Sequence, residues 1–329
     1  MKKKITIREI AKIAGVGVGT VSRVLNGGAV KPETKKLVMD TIERLGYIPN
    51  ASARKLAGGK TKSVMMLTPE IKTEFHWRLI KSMDKYLDEM DYQTIIYPLI
   101  SKNRFEKLFA SHNIHEVDGV VLCTLTFEKT FGQKKNIDFP IVLLEGLVES
   151  YDSVYLDNYL GGVQAAKVLL EDEASEFFVL YYEETNPLLS NDNILQRLKG
   201  FQDRLRESGI ELPDENVINV DFFLGSAHEK IVQVLTKVEK PGIFATTDNF
   251  ALNVLETAKT LGKTPGKDFF LIGYDDQFWA EELGLTTIGQ PIEEMGKTAG
   301  ELILKRIENP MGSIQHIKFL PAVVRRNTA

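Results

Sequence analysis

Apolar positions recur at helical spacing three times within the first 46 residues. Ile7, Ile10, Ala11 and Ala14 make the first stripe, Val21, Val24 and Leu25 the second, and Leu37, Val38, Thr41, Ile42 and Leu45 the third. Start and stop signals bracket them. Thr6-Ile7-Arg8-Glu9 is a capping box, in which Thr6 accepts from the Glu9 amide and the Glu9 carboxylate reaches back. Gly15 ends the first helix and allows a tight turn; Pro32 opens the third helix and Gly46 closes it. From Ser63 onward the pattern changes. Short apolar runs at Val64–Leu67, Thr94–Tyr97, Val117–Leu122, Ile141–Leu144, Phe177–Tyr182, Val217–Val220, Gly242–Ala245 and Phe269–Ile272 read as strands. Between them lie amphipathic helices such as Leu79–Leu87, Gly161–Leu170, Arg197–Glu207 and Ala251–Leu261. Such alternation predicts an α/β body of parallel sheets with helices on both faces. Roughly 265 residues are many for one such core, so two subdomains are expected.

The second helix, over Val18 to Leu25, is short, with an apolar face and a hydrogen-bonding one. Thr20, Ser22, Arg23 and Asn26 line the polar face, which fits the major groove of a DNA duplex. The glycines Gly15, Gly17 and Gly19 also resemble a dinucleotide loop. That loop should follow a buried strand, whereas here an amphipathic helix precedes it, and no GK[ST] ending is present. Charge separates the two parts of the chain. Residues 1–62 carry 14 Lys or Arg against 4 Asp or Glu, a net +10 in a chain whose total is −4. A basic head on an acidic body is the electrostatic footprint of a nucleic-acid reader.

The run AGVGVGTVSRVLN followed by VKPETKKLVMDTIERLGYIPNASARKLAGGKT resembles the lactose-repressor (LacI/GalR) family of bacterial regulators. Further pieces fit in order and spacing: VDGVVL (117–122), SVYLDNYLGG (153–162), RLKGF (197–201), TTDNFAL (246–252), LIGYDD (271–276), LTTIGQPIEEMG (285–296) and VVRRNT (324–328). The resemblance implies a helix-turn-helix head over 1–48, a hinge helix and linker over 49–62, and a periplasmic-binding-protein-like core over 63–329. That core would have one lobe of 63–160 plus 291–320 and another of 161–290 plus 321–329. It implies that the second helix lies in the major groove, with Arg23 reading guanine and Ser22 and Asn26 holding phosphates. The family usually carries Ser where this chain has Gly17. At the next position Val18 offers a methyl contact to thymine rather than a hydrogen bond. In the hinge stretch NASARKLAG the resemblance implies that Asn50 and Ala53 lie near the DNA. Ala51, Ser52, Ala53 and Ala57 are small enough for two copies to pack, and Leu56 is the apolar wedge for the minor groove.

In the core the resemblance marks an effector pocket beyond the carboxyl ends of the strands. Arg197 and Asp275 match its ligand-binding Arg and Asp, and Glu145 stands where an Asp is usual. Phe75 and His76 match an aromatic pair, Phe222 a stacking ring, and Asn191 and Asn193 precede Arg197 by one to two helical turns. Thr247 and Asp248 open a helix, Asp248 as its N-cap. Other readings exist: a surface or interlobe salt bridge for Arg197 and Asp275, a solvated imidazole for His76, core packing for Phe222 beside Phe223. Polar groups with aromatics suit a sugar; a purine or a sugar phosphate is the alternative.

Signs of catalysis are thin. His112 and His115 have no evident third metal ligand, and no HExxH or GxSxG motif is present. Cys123, the single cysteine, lies in a strand-like run, suits a reducing cytoplasm and excludes an internal disulfide. The charged N-terminus lacks a secretory h-region, and no apolar run reaches membrane-spanning length. The expectation is a cytoplasmic, homodimeric repressor of carbohydrate-utilisation genes, with no enzymatic activity, no cofactor and no metal. Its partners would be double-stranded operator DNA and a small-molecule effector, with a corepressor acting in place of an inducer as the alternative.

Overall fold

The computed structural model describes residues 5–25, 28–47, 60–68, 71, 73–99, 101, 103–104, 107–108, 116–125, 139–184, 192–220 and 227–329. Its contacts divide the chain into two units, Met1–Val64 with Glu106–Asp118, and Met65–Phe105 with Gly119–Ala329.

The first unit holds the three expected helices, α1 (Ile7–Ile13), α2 (Val18–Leu25) and α3 (Pro32–Leu45). The capping box forms: the Glu9 amide donates to Thr6 Oγ1 at 3.4 Å and the Thr6 amide to Glu9 Oε2 at 2.8 Å. One small core joins the helices through Ile10, Ala11, Ala14, Val21, Val24, Val38 and Ile42. Leu37, expected inside, is exposed, because Val38 takes the inward position one residue later on α3. In the same unit Asp118 anchors the chain just ahead of the first strand. Its Oδ1 accepts from the amide and hydroxyl of Thr61 at 2.8 and 2.9 Å, and its Oδ2 from the amide of Lys62 at 2.9 Å.

The second unit contains two six-stranded sheets. Sequential strands are β1 (Ser63–Thr68), β2 (Gln93–Pro98), β3 (Gly119–Cys123), β4 (Ile141–Leu144), β5 (Asp152–Leu156), β6 (Phe177–Tyr181), β7 (Val217–Asn219), β8 (Gly242–Ala245), β9 (Phe270–Asp275), β10 (Thr286–Gly289), β11 (His316–Phe319) and β12 (Ala322–Val324). One sheet has the order β11-β5-β4-β3-β1-β2, the other β12-β10-β9-β8-β6-β7. The pairs β3–β4, β4–β5, β5–β11, β6–β7, β6–β8, β8–β9 and β9–β10 are parallel, and β12 runs antiparallel to β10 at an edge. The chain therefore builds the first sheet, crosses to build the second, returns for β11, and ends on the second with β12.

The covering helices follow from amphipathic patterning. Helix α4 (Glu74–Glu89) packs on α10 (Ile292–Glu308) over the first sheet. Helices α5 (Asn158–Glu171) and α6 (Asp192–Glu207) pack together on the second. Helices α7 (His228–Lys237) and α8 (Asp248–Thr260) complete its opposite cover, and the short α9 (Phe278–Glu282) follows β9. Glycine makes the α5–α6 approach possible. A Cβ on Gly162 would fall 1.9 Å from the Arg197 carbonyl oxygen, and one on Gly200 2.0 Å from that of Tyr159. The two backbones thus touch, and this contact fixes where Arg197 stands.

Strands β5, β10, β11 and β12 lie outside the predicted set, and β9 extends past its predicted end to Asp275. β5 and β10 open with polar residues for local reasons. Asp152 at the head of β5 is taken up by the Arg306 guanidinium at 2.7 Å, and Thr286 and Thr287 of β10 spend their hydroxyls on buried hydrogen bonds.

Candidate functional site

Helix α2 presents its two faces as the pattern requires. Val21 and Val24 are buried, while Arg23 is exposed and Thr20 and Ser22 are half-buried. Val18, at 43% exposure, is free to meet a base methyl. The Arg23 Nε donates to the Gly19 carbonyl at 3.3 Å, so the side chain lies back along its own helix and presents its outer nitrogens. Thr20 and Arg23 share a shallow depression with Ala29, Val30, Lys31 and Thr34. Lys31 and Thr34 were missed by pattern reading. The signal available was Lys31-Pro32, a cation at a helix N-terminus whose free amides suit a phosphate. Asn26, Asn50, Ala53 and Leu56 lie outside the described residues, as do His112, His115, Asn191 and Phe222.

In the second unit the polar candidates gather where parallel strands end. Glu145 follows β4, Asn158 follows β5, Thr246 follows β8, Asp275 ends β9 and Gln290 follows β10. Arg197, 4% exposed on α6, is at the centre. Its Nε donates to Asn158 Oδ1 at 2.8 Å and its Nη1 to the Thr246 carbonyl at 2.7 Å; Nη1 is also 3.5 Å from Asp275 Oδ1. The guanidinium carbon lies 3.6 Å from the centroid of the Tyr274 ring. That ring continues an aromatic stack into the core, since Tyr274 packs on Phe244 and Phe244 stacks on Phe201 at 5.1 Å. Arg197 and Asp275 are therefore a buried pair, not a surface ion pair. Gln290 Nε2 donates to Asp275 Oδ1 at 2.6 Å, and Asn193 Nδ2 donates to Glu145 Oε2 at 2.6 Å, joining α6 to the end of β4.

Two site carboxylates occupy left-handed backbone, Glu145 at φ 62° and Asp275 at φ 114°, conformations that side chains rarely adopt and that cluster at functional sites. Burial pushes Glu145 up to about 7, opposed by Arg197 and reinforced by Asp275. Burial likewise lifts Asp275 to about 6, against the pull of Arg197. Glu145 Oε1, Gln290 Oε1, Thr68 Oγ1 and Thr247 Oγ1 are buried with no hydrogen-bond partner. Buried polar atoms are rarely left so in a finished core, and these four sit at strand ends.

His76 is half-buried on α4, with Nδ1 2.8 Å from Thr73 Oγ1 and Nε2 3.2 Å from Thr124 Oγ1. Desolvation pulls it down to about 4, so the imidazole is neutral and not a solvated one. Phe75 is buried, edge-on to the His76 ring at 5.3 Å. Thr247, not Asp248, is the N-cap of α8. The Asp248 carboxylate instead accepts from the Gln277 amide at 2.9 Å and Thr287 Oγ1 at 2.6 Å, because β9 and β10 bring those donors above the helix end. Burial and the neighbouring Asp275 raise its pKa. Asn158, Tyr274, Thr246 and Gln290 were not singled out beforehand, although each lies in or beside a motif already noted. The rule that ligands meet the carboxyl ends of parallel strands was the available signal. Cys123 is buried with its thiol pushed up to about 12, a state without nucleophilic reactivity. Among the described residues no group of three His, Cys, Asp or Glu could hold a metal ion. No helix among them is long and apolar enough to cross a membrane.

Comparison with known proteins adds an independent line. Residues 6–50 match the description "Bacterial regulatory proteins, lacI family", and residues 167–329 match "Periplasmic binding protein-like domain". The chain is 31% identical over 310 residues to catabolite control protein A of Priestia megaterium, covering 92% of each protein. It is 30% identical over 311 residues to the transcriptional regulator DegA of Bacillus subtilis (strain 168), covering 90% of this chain and 91% of DegA. Among solved structures, a complex of the transcriptional regulator CelR with cellobiose superposes with a TM-score of 0.71 at 26% identity, over 99% of this chain and all of that one.

Proposed function

Because the chain belongs to the lacI family of bacterial regulatory proteins, we propose that this transcriptional regulator is a repressor of carbohydrate-utilisation genes whose DNA affinity is set by a sugar. It acts in the cytoplasm as a homodimer on a pseudo-palindromic operator, each head reading one half-site. Arg23 takes the guanine O6/N7 edge, Val18 a thymine methyl, Ser22 and Asn26 hold phosphates, and Thr20 stands on the same polar face. Asn50, Ala53 and Leu56 belong to the hinge that meets the minor groove at the operator centre.

The observation that carries the effector half is the buried Arg197. It is held by Asn158, Thr246 and Asp275 over the Tyr274 ring, beside unsatisfied acceptors at the strand ends. A polyol fits this set, offering hydroxyls to Glu145, Asn193, Asp275 and Thr247 and a CH face to Phe75, His76 or Phe222. Asn191 is proposed as a further polar contact. CelR in complex with cellobiose supports the sugar class. Three carboxylates, Glu145, Asp248 and Asp275, weigh against a sugar phosphate; a purine is the remaining alternative.

The ligand acts by linkage. It shifts operator affinity only as far as it binds one conformation of the core better than the other. A thermal-shift screen of the full chain against monosaccharides, disaccharides, sugar phosphates and purines tests this reading. At about 100-fold over its Kd a ligand stabilises by about 2.7 kcal/mol. The expected result is a shift with a neutral or amino sugar that disappears in Arg197→Ala and Asp275→Ala. A shift only with purines or phosphates contradicts the sugar class, and a shift untouched by both substitutions contradicts the site.

A further inference from the structure

The strand-end site has an unbalanced charge inventory. Glu145, Asp248 and Asp275 are 2%, 0% and 5% exposed, and Arg197 is the one cation in contact with the cluster among the described residues. Arg78, the next cation felt by Asp275, is already bidentate to Glu293 at 2.7 and 2.9 Å. His76 is neutral. Arg197 is itself committed, its Nε to Asn158 and its Nη1 to the Thr246 carbonyl. Buried charge is costly unless paired, and here more carboxylate than counter-charge is buried. The upward shifts of Glu145 and Asp275 are the same imbalance seen from the proton's side.

The unsatisfied atoms point the same way. Glu145 Oε2 accepts from Asn193, while Oε1 has no close partner, although the Leu156 amide and Asn158 lie near enough to favour the charged carboxylate; Gln290 donates to Asp275 through Nε2, whereas its Oε1 has none. Both are acceptors, and the hydroxyls of Thr68 and Thr247 can accept as well; against these four stands one unpartnered donor beside Asp275, Gln277 Nε2. The site therefore asks its ligand for hydrogens and positive charge. A sugar hydroxyl supplies one hydrogen and no charge. An ammonium group supplies three hydrogens and a full charge, in the stronger, charge-assisted form of the bond.

We infer that the ligand of this site bears a protonated amine that pairs with Glu145, so that its class is an amino sugar or similar ammonium-bearing polyol. The inference rests on the reading of these strand ends as the effector site. Its test is isothermal titration of the full chain at pH 7 with D-glucosamine and D-galactosamine, their neutral parents D-glucose and D-galactose, and the N-acetyl derivatives. One amino sugar should bind at least about tenfold tighter than its neutral parent, and N-acetylation should abolish the gain. Glu145→Gln, isosteric and checked for folding by its melting curve without ligand, should remove that gain, so that the amino sugar and its neutral parent bind this variant within about threefold of one another. A neutral sugar that binds as tightly as its amine overturns this inference and leaves the effector site standing. An amine preference that survives Glu145→Gln puts the amine elsewhere and also overturns it. If no sugar of either kind binds, both the inference and the sugar reading fail.

Discussion

Arg197 and Glu145 show how much chemistry a single residue carries once its surroundings are fixed. Arg197 and Asp275 are marked in the sequence by the motifs that contain them, RLKGF and LIGYDD. Their closest partners were not, since Asn158, Tyr274 and Gln290 acquire their roles from the register of strands far apart in the chain. Glu145 has a measurable signature. Its carboxyl is lifted from the ordinary 4.5 to about 7, so the folded chain holds a proton that the unfolded chain releases. The resulting stabilisation is complete below pH 4.5 and is lost as pH rises through 7. Glu145→Gln should therefore match the parent near pH 4 and exceed it at pH 8 by up to about 3 kcal/mol. His76, pulled down to about 4, works in the opposite sense, losing stability as pH falls from 6.5. It titrates in both proteins, so the difference in melting temperature between them isolates Glu145; a difference that stays flat from pH 4 to 8 contradicts the assignment. On the DNA side, Arg23→Ala should cost about 1–3 kcal/mol in operator binding and relax the preference at one base pair per half-site. Binding selections with the two proteins check this, and an unchanged site preference removes Arg23 from the reading role.

Elements set where those residues stand. Helices α1 to α3 were legible almost to the residue, because a capping box, a proline and two glycines punctuate them. The inner strands were legible from their aliphatic runs. Two of the strands that escaped, β5 and β10, open with polar residues whose partners are remote in sequence, as Asp152 of β5 is held by Arg306 and Thr287 of β10 meets Asp248. The α5–α6 contact deserves its own test, since it supports Arg197 from behind. Gly162→Ala puts a Cβ 1.9 Å from the Arg197 carbonyl oxygen, so α6 must shift. The expected outcome is a loss of about 1–3 kcal/mol in stability, read by denaturant unfolding. Ligand affinity should fall as well, read by titration; undiminished stability and affinity together contradict the close approach. The hinge stretch 50–58 lies outside the described residues and is addressed by function alone. Leu56→Ala should weaken binding to the operator more than binding to random DNA. Equal losses on both contradict the wedge.

At the scale of the whole chain, charge and linkage are the governing quantities. A head of net +10 in a chain of net −4 confines the DNA attraction to one part of the molecule. Non-specific binding should fall steeply with salt as counterions are released. The body's share of the mechanism is a coupling free energy between operator and ligand, and coupling of this kind is reciprocal. If a sugar weakens operator binding by some factor, the operator must weaken sugar binding by the same factor, typically about 5–150-fold. The most direct measurement is therefore operator affinity by fluorescence anisotropy, with and without saturating sugar, in the parent protein and in Arg197→Ala, paired with sugar affinity in the presence and absence of operator. One common factor is expected in the parent, whichever its direction, and none in Arg197→Ala. A sugar that binds through Arg197 yet leaves operator affinity unchanged would contradict this linkage.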